Sequence, residues 1–146
     1  MKKYTFGILS IFICLFIFGA CLTNGELLVF DESLSADEIA VINFYSGRVS
    51  IVEYNGIAVN WDPFPSGLEI RIPGGSTQFI LNGTTGSYNA GYTVYRNMPF
   101  TYNFEKGREY TFFFNQHIIM IFNGKSISEK DLLASFNMRN GQTQTN

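Results

Sequence analysis

Few side chains in this sequence could carry acid–base, nucleophilic or metal chemistry. The chain has a single histidine, His117, which follows Asn115 and Gln116 and stands between two apolar runs. A zinc site needs three or four ligands, and one histidine does not supply them. No Gly-x-Ser-x-Gly sequence is present to expose a nucleophilic serine on a sharp turn. We therefore expect His117 at a turn or strand edge, and we predict no catalytic residues, no metal site and no cofactor.

A pair of carboxylates is the other arrangement that could do chemistry, because glycosidases use two acids about 5–10 Å apart in a cleft. Glu105 and Glu109 flank a turn, with Lys106 and Arg108 between them. Opposite charges around a hairpin turn are typical of solvated cross-strand pairs. We interpret these four residues as surface charges and the chain as a protein without enzymatic activity.

Aromatic side chains are the most informative class for binding, since they make up 16% of the chain. Exposed aromatics give sugar-binding and protein-binding surfaces a large contact area with a polar tip. Trp61 and Phe64 lie in the sequence Trp-Asp-Pro-Phe-Pro, which is the best candidate for a binding loop. Tyr88, in the glycine-bounded loop 83–91, and the neighbouring Tyr92 form the second candidate. Trp61 has an alternative role, because a lone tryptophan often caps the core of a small β domain.

The first 20 residues have the three parts of a secretory signal. Two lysines open the chain, the run 7–18 is strongly apolar, and two small residues follow it, Gly19 and Ala20. The apolar run is shorter than the roughly 20 residues that a membrane-spanning helix needs. We predict that residues 1–20 are an export signal and that the mature chain begins at Cys21.

The sequence Phe18-Gly19-Ala20-Cys21 resembles the lipobox of bacterial lipoprotein precursors. Three positions match that motif residue by residue, and Phe18 stands where the family usually has leucine or another aliphatic residue. In that family a diacylglycerol is attached to the cysteine sulfur, and the signal is then cut just before the cysteine. The resemblance implies a lipid-anchored, palmitate-bearing protein of the bacterial cell envelope, periplasmic or surface-exposed, with Cys21 as the lipidation site and the membrane as a partner.

Two other outcomes stay open for this segment. Ordinary cleavage after Ala20 would release a soluble protein, and an uncleaved segment would itself anchor the chain. The cysteine count favours lipidation, because Cys14 lies in the signal and the mature chain would keep Cys21 alone. An exported protein with one free thiol is unusual unless that thiol is modified. Two or three acyl chains would anchor the protein stably, since each buried methylene contributes about 0.8 kcal/mol.

The composition fits one apolar, mildly acidic domain. The 146 residues are the length of a single domain. Only 15% are charged, compared with about 25% in average soluble proteins. Removing residues 1–20 removes two lysines and no acid, so the net charge changes from −2 to −4. This balance implies no nucleic-acid partner, and the apolar content is too high for disorder.

Short segments rich in Val, Ile, Phe, Tyr and Thr follow from residue 38 onward, with turn residues between them. Asn55-Gly56 is the strongest short-range hairpin signal, because both residues tolerate a positive φ. Turns every 8–12 residues or so predict an all-β fold, a small two-layer antiparallel β-sandwich of the Ig-like kind. The predicted strands are Ile39–Tyr45, Val49–Tyr54, Ile57–Trp61, Leu68–Ile72, Thr77–Leu81, Tyr92–Tyr95, Phe100–Phe104, Glu109–Asn115 and Ile118–Phe122.

We divide the chain into four parts. Residues 1–20 are the signal, and residues 21–37 are a tether that includes a first strand. Residues 38–127 are the β-sandwich domain. Residues 128–146 are a short C-terminal helix followed by a disordered polar tail.

The C-terminal helix is predicted from a capping-box pattern. Ser128 stands where an N-cap belongs, and Asp131 supplies an acid at the third helical position. Leu132, Leu133 and Phe136 would form the apolar face of this helix.

The stretch Ala40–Phe114 looks like the small Ig-like or PEGA-like β-sandwich domains of bacterial envelope lipoproteins. Its matching segments include the hairpin Val49–Val59, the strand–Pro-Gly–strand sequence Ile70–Phe79 and the closing hairpin Phe104–Phe112. The Pro-Glu-Gly-Ala tetrapeptide that names the PEGA family is absent. The resemblance implies a binding or scaffolding domain in the cell envelope, with no catalytic set to carry over.

Two functions from different classes follow from these observations. The first is a structural or interaction role, in which the domain binds another envelope protein. The alternative is a carbohydrate-binding module that uses Trp61 and the loop tyrosines. A glycan-induced shift of Trp61 fluorescence would favour the module, and a stable co-purifying protein would favour the interaction role.

Overall fold

The computed structural model describes residues 28–62 and 68–145, which fold into two β-sheets packed against each other. This is the all-β sandwich that the sequence predicts. The predicted site residues Cys21 and Phe64 lie outside the described residues. A 3₁₀ turn, Glu129–Asp131, precedes the tenth strand. The strands are β1 (Leu28–Val29), β2 (Ile39–Phe44), β3 (Val49–Tyr54), β4 (Ile57–Trp61), β5 (Glu69–Pro73), β6 (Gly75–Ser87), β7 (Gly91–Phe104), β8 (Glu109–Asn115), β9 (Ile118–Asn123), β10 (Leu132–Asn137) and β11 (Gln142–Thr145).

The larger sheet has seven strands in the order β1-β5-β2-β8-β9-β10-β11, and the smaller sheet has four in the order β4-β3-β6-β7. Two pairings in the larger sheet are parallel, β1 with β5 and β2 with β8. The larger sheet is therefore mixed, whereas the prediction was an antiparallel sandwich. The parallel pairs join segments that are far apart in the sequence, such as Ile42 opposite Tyr110. No local turn signal accompanies a pairing of this kind.

Alternation of side chains explains how single strands serve the core. β2 buries Ala40, Ile42 and Phe44 and leaves the residues between them half-buried. β8 contains the continuous apolar run 112–114, and the same alternation sends Phe112 into the core while Phe113 stays half-buried on the other face. Each large apolar side chain that is fully buried contributes about 1.5–3 kcal/mol relative to exposure.

The Asn55-Gly56 turn joins β3 to β4 as the sequence predicts. Both residues have positive φ, +46° and +82°, and Tyr54 pairs with Ile57 across the turn. The Asn55 side-chain oxygen also accepts a hydrogen bond from the Gln78 backbone N–H at 2.8 Å. The turn is therefore tied to the neighbouring strand β6.

Aromatic rings join the two sheets at the centre of the core. Phe100 of the smaller sheet is buried, with its ring centroid 5.8 Å from that of Phe112 and 5.2 Å from that of Phe136 in the larger sheet. Aromatic pairs at such distances contribute about 0.5–1.5 kcal/mol beyond area burial. Phe100 is therefore a central packing residue of the sandwich.

The predicted C-terminal helix is wrong. The Ser128 side chain makes no capping hydrogen bond, and the 3₁₀ turn ends at Asp131. The next residues form β10, which pairs with β9 and buries Ala134 and Phe136 on one face. Residues two apart lie on the same face of a strand, so both can be buried when β10 pairs with the edge of β9. Tertiary packing of this kind outweighs a weak local helix preference.

The predicted disordered tail is also wrong for residues 142–145. These residues form β11 and pair with β10 from Asn137↔Gln142 to Ala134↔Thr145. Every side chain of β11 is exposed and polar, so no hydrophobic pattern in the sequence indicates a strand there.

Candidate functional site

The hairpin of β6 and β7 is the longest among the described residues, and it carries Tyr88 and Tyr92 at its tip. The two strands stay paired along their length, with a register shift between Leu81 and Gly83. We call residues 83–95 the distal hairpin and the remainder of β6 and β7 the proximal hairpin. The predicted loop candidate is therefore mostly ordered strand.

Glycine residues make the shape of the distal hairpin possible. Gly91 follows the three-residue loop 88–90 with a φ of +77°, and the Ala90 N–H donates to the Ser87 carbonyl at 3.2 Å. Gly86 has a φ of +120°, and a Cβ at this position would collide with the Gly91 carbonyl oxygen. The two strands therefore approach each other at Gly86 more closely than a side chain would allow.

The distal hairpin displays aromatic side chains to solvent. Tyr88 is 91% exposed, Tyr92 is 64% exposed and Val94 is 48% exposed. Because side chains alternate along a strand, Tyr92 and Val94 share one face, and Tyr95 on the opposite face packs against the core. Residues 91–95 include no charge. An exposed, uncharged aromatic surface has the composition found at the centre of protein–protein interfaces.

β7 is also an outer strand of the smaller sheet, at the edge opposite to β4. In an antiparallel ladder alternate residues bond to one neighbour, so the other residues of β7 point their N–H and C=O groups away from β6. Charges, bulges and prolines protect such edges from unwanted pairing. In β7 they are concentrated in the middle of the strand, at Arg96, at Asn97 with a φ of +52°, and at Pro99. Residues 91–95 have none of these devices.

The structure places Trp61 in the core. Its side chain is 4% exposed, and its ring centroid lies 4.8 Å from that of Phe44. This decides between the two roles predicted for Trp61 in favour of the core, because a side chain buried to this extent cannot stack on a ligand. Its Nε1 has no hydrogen-bond partner among the described residues.

A second exposed aromatic surface surrounds Tyr45, just after β2. A groove of about 350 Å³ opens there, and we call it the Tyr45 groove. Tyr45 is exposed and packs edge-on against Phe113 at a centroid distance of 5.2 Å. Phe44 borders the groove, and its buried ring packs against the ring of Trp61 on the core side. The other lining residues are Asn43, Leu68, Glu69, Thr111 and Lys125.

Polar side chains around the Tyr45 groove are held by the protein itself. The Asn43 side-chain amide donates to Glu109 Oε1 at 2.9 Å, and Lys125 Nζ lies 3.2 Å from the same oxygen. The Thr111 hydroxyl donates to the Gly124 carbonyl at 2.6 Å. The groove therefore combines a mainly apolar wall with a fixed polar rim.

His117 and the charged residues around Glu105 lie in separate turns of the described fold. His117 lies in the turn between β8 and β9, as predicted, and its carbonyl accepts from the Met138 N–H at 2.8 Å. Glu105 forms a surface ion pair with Arg108, with 2.9 Å between the carboxylate and Nε. In residues 28–62 and 68–145, no three His, Cys, Asp or Glu side chains come close enough to hold a metal ion.

Exposed acids near the start of the sandwich are bound by local turns. The Ser33 hydroxyl donates to Asp31 at 2.6 Å, and the Ser35 hydroxyl donates to Glu38 at 2.7 Å. These side-chain hydrogen bonds lower the pKa of both Asp31 and Glu38. The perturbed acids are therefore parts of turn structure.

Comparison with known proteins leaves function to be inferred from the chain's own residues. The chain matches no protein-family model, no curated protein and no solved structure. Within the part of the chain that the structure describes, no helix is long and apolar enough to cross a membrane.

Sequence reasoning missed the Tyr45 groove as a site. Tyr45, Leu68, Thr111 and Lys125 come from four separate segments, which only the strand order brings together. The local signal was an exposed tyrosine at a strand end, and it was too general to select this residue over the other strand-end tyrosines.

Proposed function

We propose that this chain is a lipid-anchored lipoprotein of the bacterial cell envelope whose β-sandwich is a non-catalytic interaction domain. The observation that carries the interaction role is the distal hairpin, which displays Tyr88 and Tyr92 away from the core. Exposing large aromatic side chains does not stabilise the sandwich, whereas burying them against a partner would. Contiguous exposed apolar surface of this kind marks contact sites on soluble domains.

The anchoring part of the proposal is supported by the lipobox-like sequence that ends at Cys21. The first strand, β1, begins at Leu28, seven residues after that cysteine. Seven residues span at most about 25 Å even when fully extended. A lipid on Cys21 would therefore hold the sandwich close to the membrane surface, where its partners would be other envelope proteins.

Fatty-acid labelling in a bacterial host tests the anchor. We expect the wild type and Cys14→Ala to incorporate label and Cys21→Ala to lose it, because Cys14 lies within the predicted signal. Cys14→Ala is the matched control for removing a cysteine. Label that persists in Cys21→Ala, or a wild type without label, would contradict lipidation at Cys21.

Site-specific photocrosslinking in the cell envelope tests the contact surface. A photoreactive residue at Tyr88 should give an adduct of defined mass with a second protein chain. The same residue at Ile57, which is exposed on β4, is the control for a surface away from the distal hairpin. Adducts from position 57 alone, or from neither position, would contradict the assignment of the distal hairpin as the contact surface.

A carbohydrate-binding role is the second candidate, and the Tyr45 groove is the observation that favours it. Trp61 is the only tryptophan, and it packs against Phe44, which borders the groove, so a glycan in the groove should shift its fluorescence. Tyr45→Ala should abolish the shift and Tyr88→Ala should preserve it. Fluorescence that stays unchanged as cell-envelope glycan fragments are added would rule out this role for the groove.

A further inference from the structure

We infer that the distal hairpin pairs edge to edge with a second copy of this chain, so that the two smaller sheets join into one eight-stranded sheet. The inference deepens the proposed function by naming the protein that the distal hairpin contacts. It rests on the proposed function only in taking that hairpin as the contact surface, and it does not depend on the lipid anchor.

The edge strands of the described fold are not equally suited to pairing. β1 has two residues and β11 has four, all of them exposed and polar in β11. β4 has five residues, and Asn60 within it has a φ of +50°, which distorts the strand. β7 has 14 residues, and its stretch 91–95 is uncharged and free of bulge and proline. Of these edges, the stretch 91–95 is the best template for another strand.

The side chains of this stretch are complementary to themselves. A strand pairs with its own copy about a two-fold axis perpendicular to the sheet, and residues that face each other then lie on the same face. With the axis at Thr93, that residue faces its own copy, and Tyr92 faces Val94 on either side of the axis. Thr–Thr and aromatic–β-branched pairs are among the favourable cross-strand pairs. Gly91 would face Tyr95. Because glycine has no side chain, the Tyr95 ring meets no opposing side chain in this pair.

Charge and position also favour a second copy over an unrelated strand. Arg96 is the only charged residue of β7, and in this register it faces Ala90, so no like charges oppose each other. Tyr92 and Val94 are exposed on the single chain, and both would gain a neighbour at once. An extended segment of another protein is the competing occupant, and no feature of residues 91–95 demands one.

The mass of the full chain in density-matched detergent tests the pairing. Sedimentation equilibrium should give twice the chain mass for the wild type. Thr93→Lys and Thr93→Glu should each halve it, because like charges would face each other at the axis. An equimolar mixture of the two variants should recover the doubled mass, since Lys then faces Glu. Thr101→Lys is the matched control and should keep the doubled mass. Thr101 is exposed and lies on β7 beyond the irregular stretch at Arg96 and Asn97.

Recovery in the mixture shows that both variants are folded, so loss of the dimer cannot be attributed to misfolding. A monomeric wild type, a Thr93→Lys variant that keeps the doubled mass, or a mixture that stays monomeric overturns the pairing at Thr93. A monomeric wild type that still gives a Tyr88 crosslink to a different protein overturns self-pairing and leaves the proposed function standing. A monomer without any crosslink overturns both.

Discussion

The two halves of the β6–β7 hairpin share one backbone ladder and use their side chains differently. The proximal hairpin buries Phe79, Leu81, Phe100 and Phe104 between the sheets. In the distal hairpin no residue from 84 to 95 is buried. An isolated two-stranded hairpin is only marginally stable in water, so the distal half depends on the proximal half for its order. The difference indicates that the proximal half forms part of the core and that the distal half extends from it into solvent.

The transition between the halves occurs at Gly83. A Cβ at this position would lie 2.7 Å from Met138 Sδ and 3.2 Å from the tip of Phe114. Gly83 therefore lets β6 pass close over the last packed residues of the larger sheet. Beyond it the residues of β6 are half-buried or exposed.

The largest expected effect is in the proximal half. Phe100→Ala should lower the free energy of unfolding by about 3–5 kcal/mol, because it opens a cavity among buried aromatic rings. Urea denaturation followed by circular dichroism measures the loss. A loss below about 1 kcal/mol would contradict the central packing role of Phe100.

A smaller effect is expected from Gly86→Ala in the distal half. The added Cβ would collide with the Gly91 carbonyl, and φ is +120°, so we expect a cost of about 1–3 kcal/mol. Amide hydrogen exchange should show lost protection in residues 83–95 and unchanged protection in β8 and β9. Gly141→Ala, with a φ of +67° and open space around it, is the control that has the backbone strain without the collision. If Gly86→Ala lost no more stability than Gly141→Ala, the close approach of the two strands would be refuted.

Tyr110→Phe, a change in the body of the sandwich, should lower the free energy of unfolding by about 1 kcal/mol. The Tyr110 hydroxyl oxygen accepts a hydrogen bond from the Glu105 backbone N–H at 2.8 Å, and Tyr110→Phe removes that bond. Urea denaturation at neutral pH measures this loss. A variant as stable as the wild type would show that water replaces the bond at no cost.

The same residue makes stability depend on alkaline pH. Burial raises the pKa of Tyr110 above its ordinary value of 10. The unfolded tyrosine therefore ionises first, so its contribution to stability is complete below about pH 10 and is lost as pH rises through the folded pKa. Tyr110→Phe should reduce the loss of stability that begins as pH rises above about 10. The same burial raises the pKa of Tyr54 and Tyr102, so part of the loss should remain. An alkaline loss of the same size in Tyr110→Phe and wild type would contradict this assignment.

The smallest expected effect on stability is that of Tyr92→Ala in the distal hairpin. Tyr92→Ala should change the free energy of unfolding of the single chain by less than about 0.5 kcal/mol, since its side chain is exposed. Urea denaturation of Thr93→Lys, which is monomeric on our account, with and without Tyr92→Ala isolates this effect from self-association. A loss as large as that of Phe100→Ala would mean that the distal hairpin is part of the folding core after all.

Local patterns predicted most of the strands because each pattern reports burial on one face. The Asn55-Gly56 turn was predicted correctly because positive φ is a property of the two residues themselves. β10 was predicted as a helix because Ser128 and Asp131 fit a capping box, while the open edge of β9 that captures Phe136 is a tertiary feature. β11 has no apolar residue to reveal it.

The candidate sites could be predicted only where a local sequence pattern marks them. Tyr88 and Tyr92 could be selected because glycines and turn residues surround them in the sequence. The edge position of β7 and the Tyr45 groove depend on strand order, which parallel pairs such as β2 with β8 determine without a local signal. Lipidation at Cys21 is outside the described residues and remains a prediction.

Oxidative crosslinking of a single introduced cysteine tests most directly whether the distal hairpin pairs two copies. Thr93→Cys places two thiols opposite each other at the two-fold axis. Thr101→Cys lies eight residues, or about 26 Å, further along β7, and the wild type supplies the background from the native cysteines. Our account predicts a disulfide-linked dimer of the full chain from Thr93→Cys well above both controls. Equal crosslinking of all three chains would contradict it.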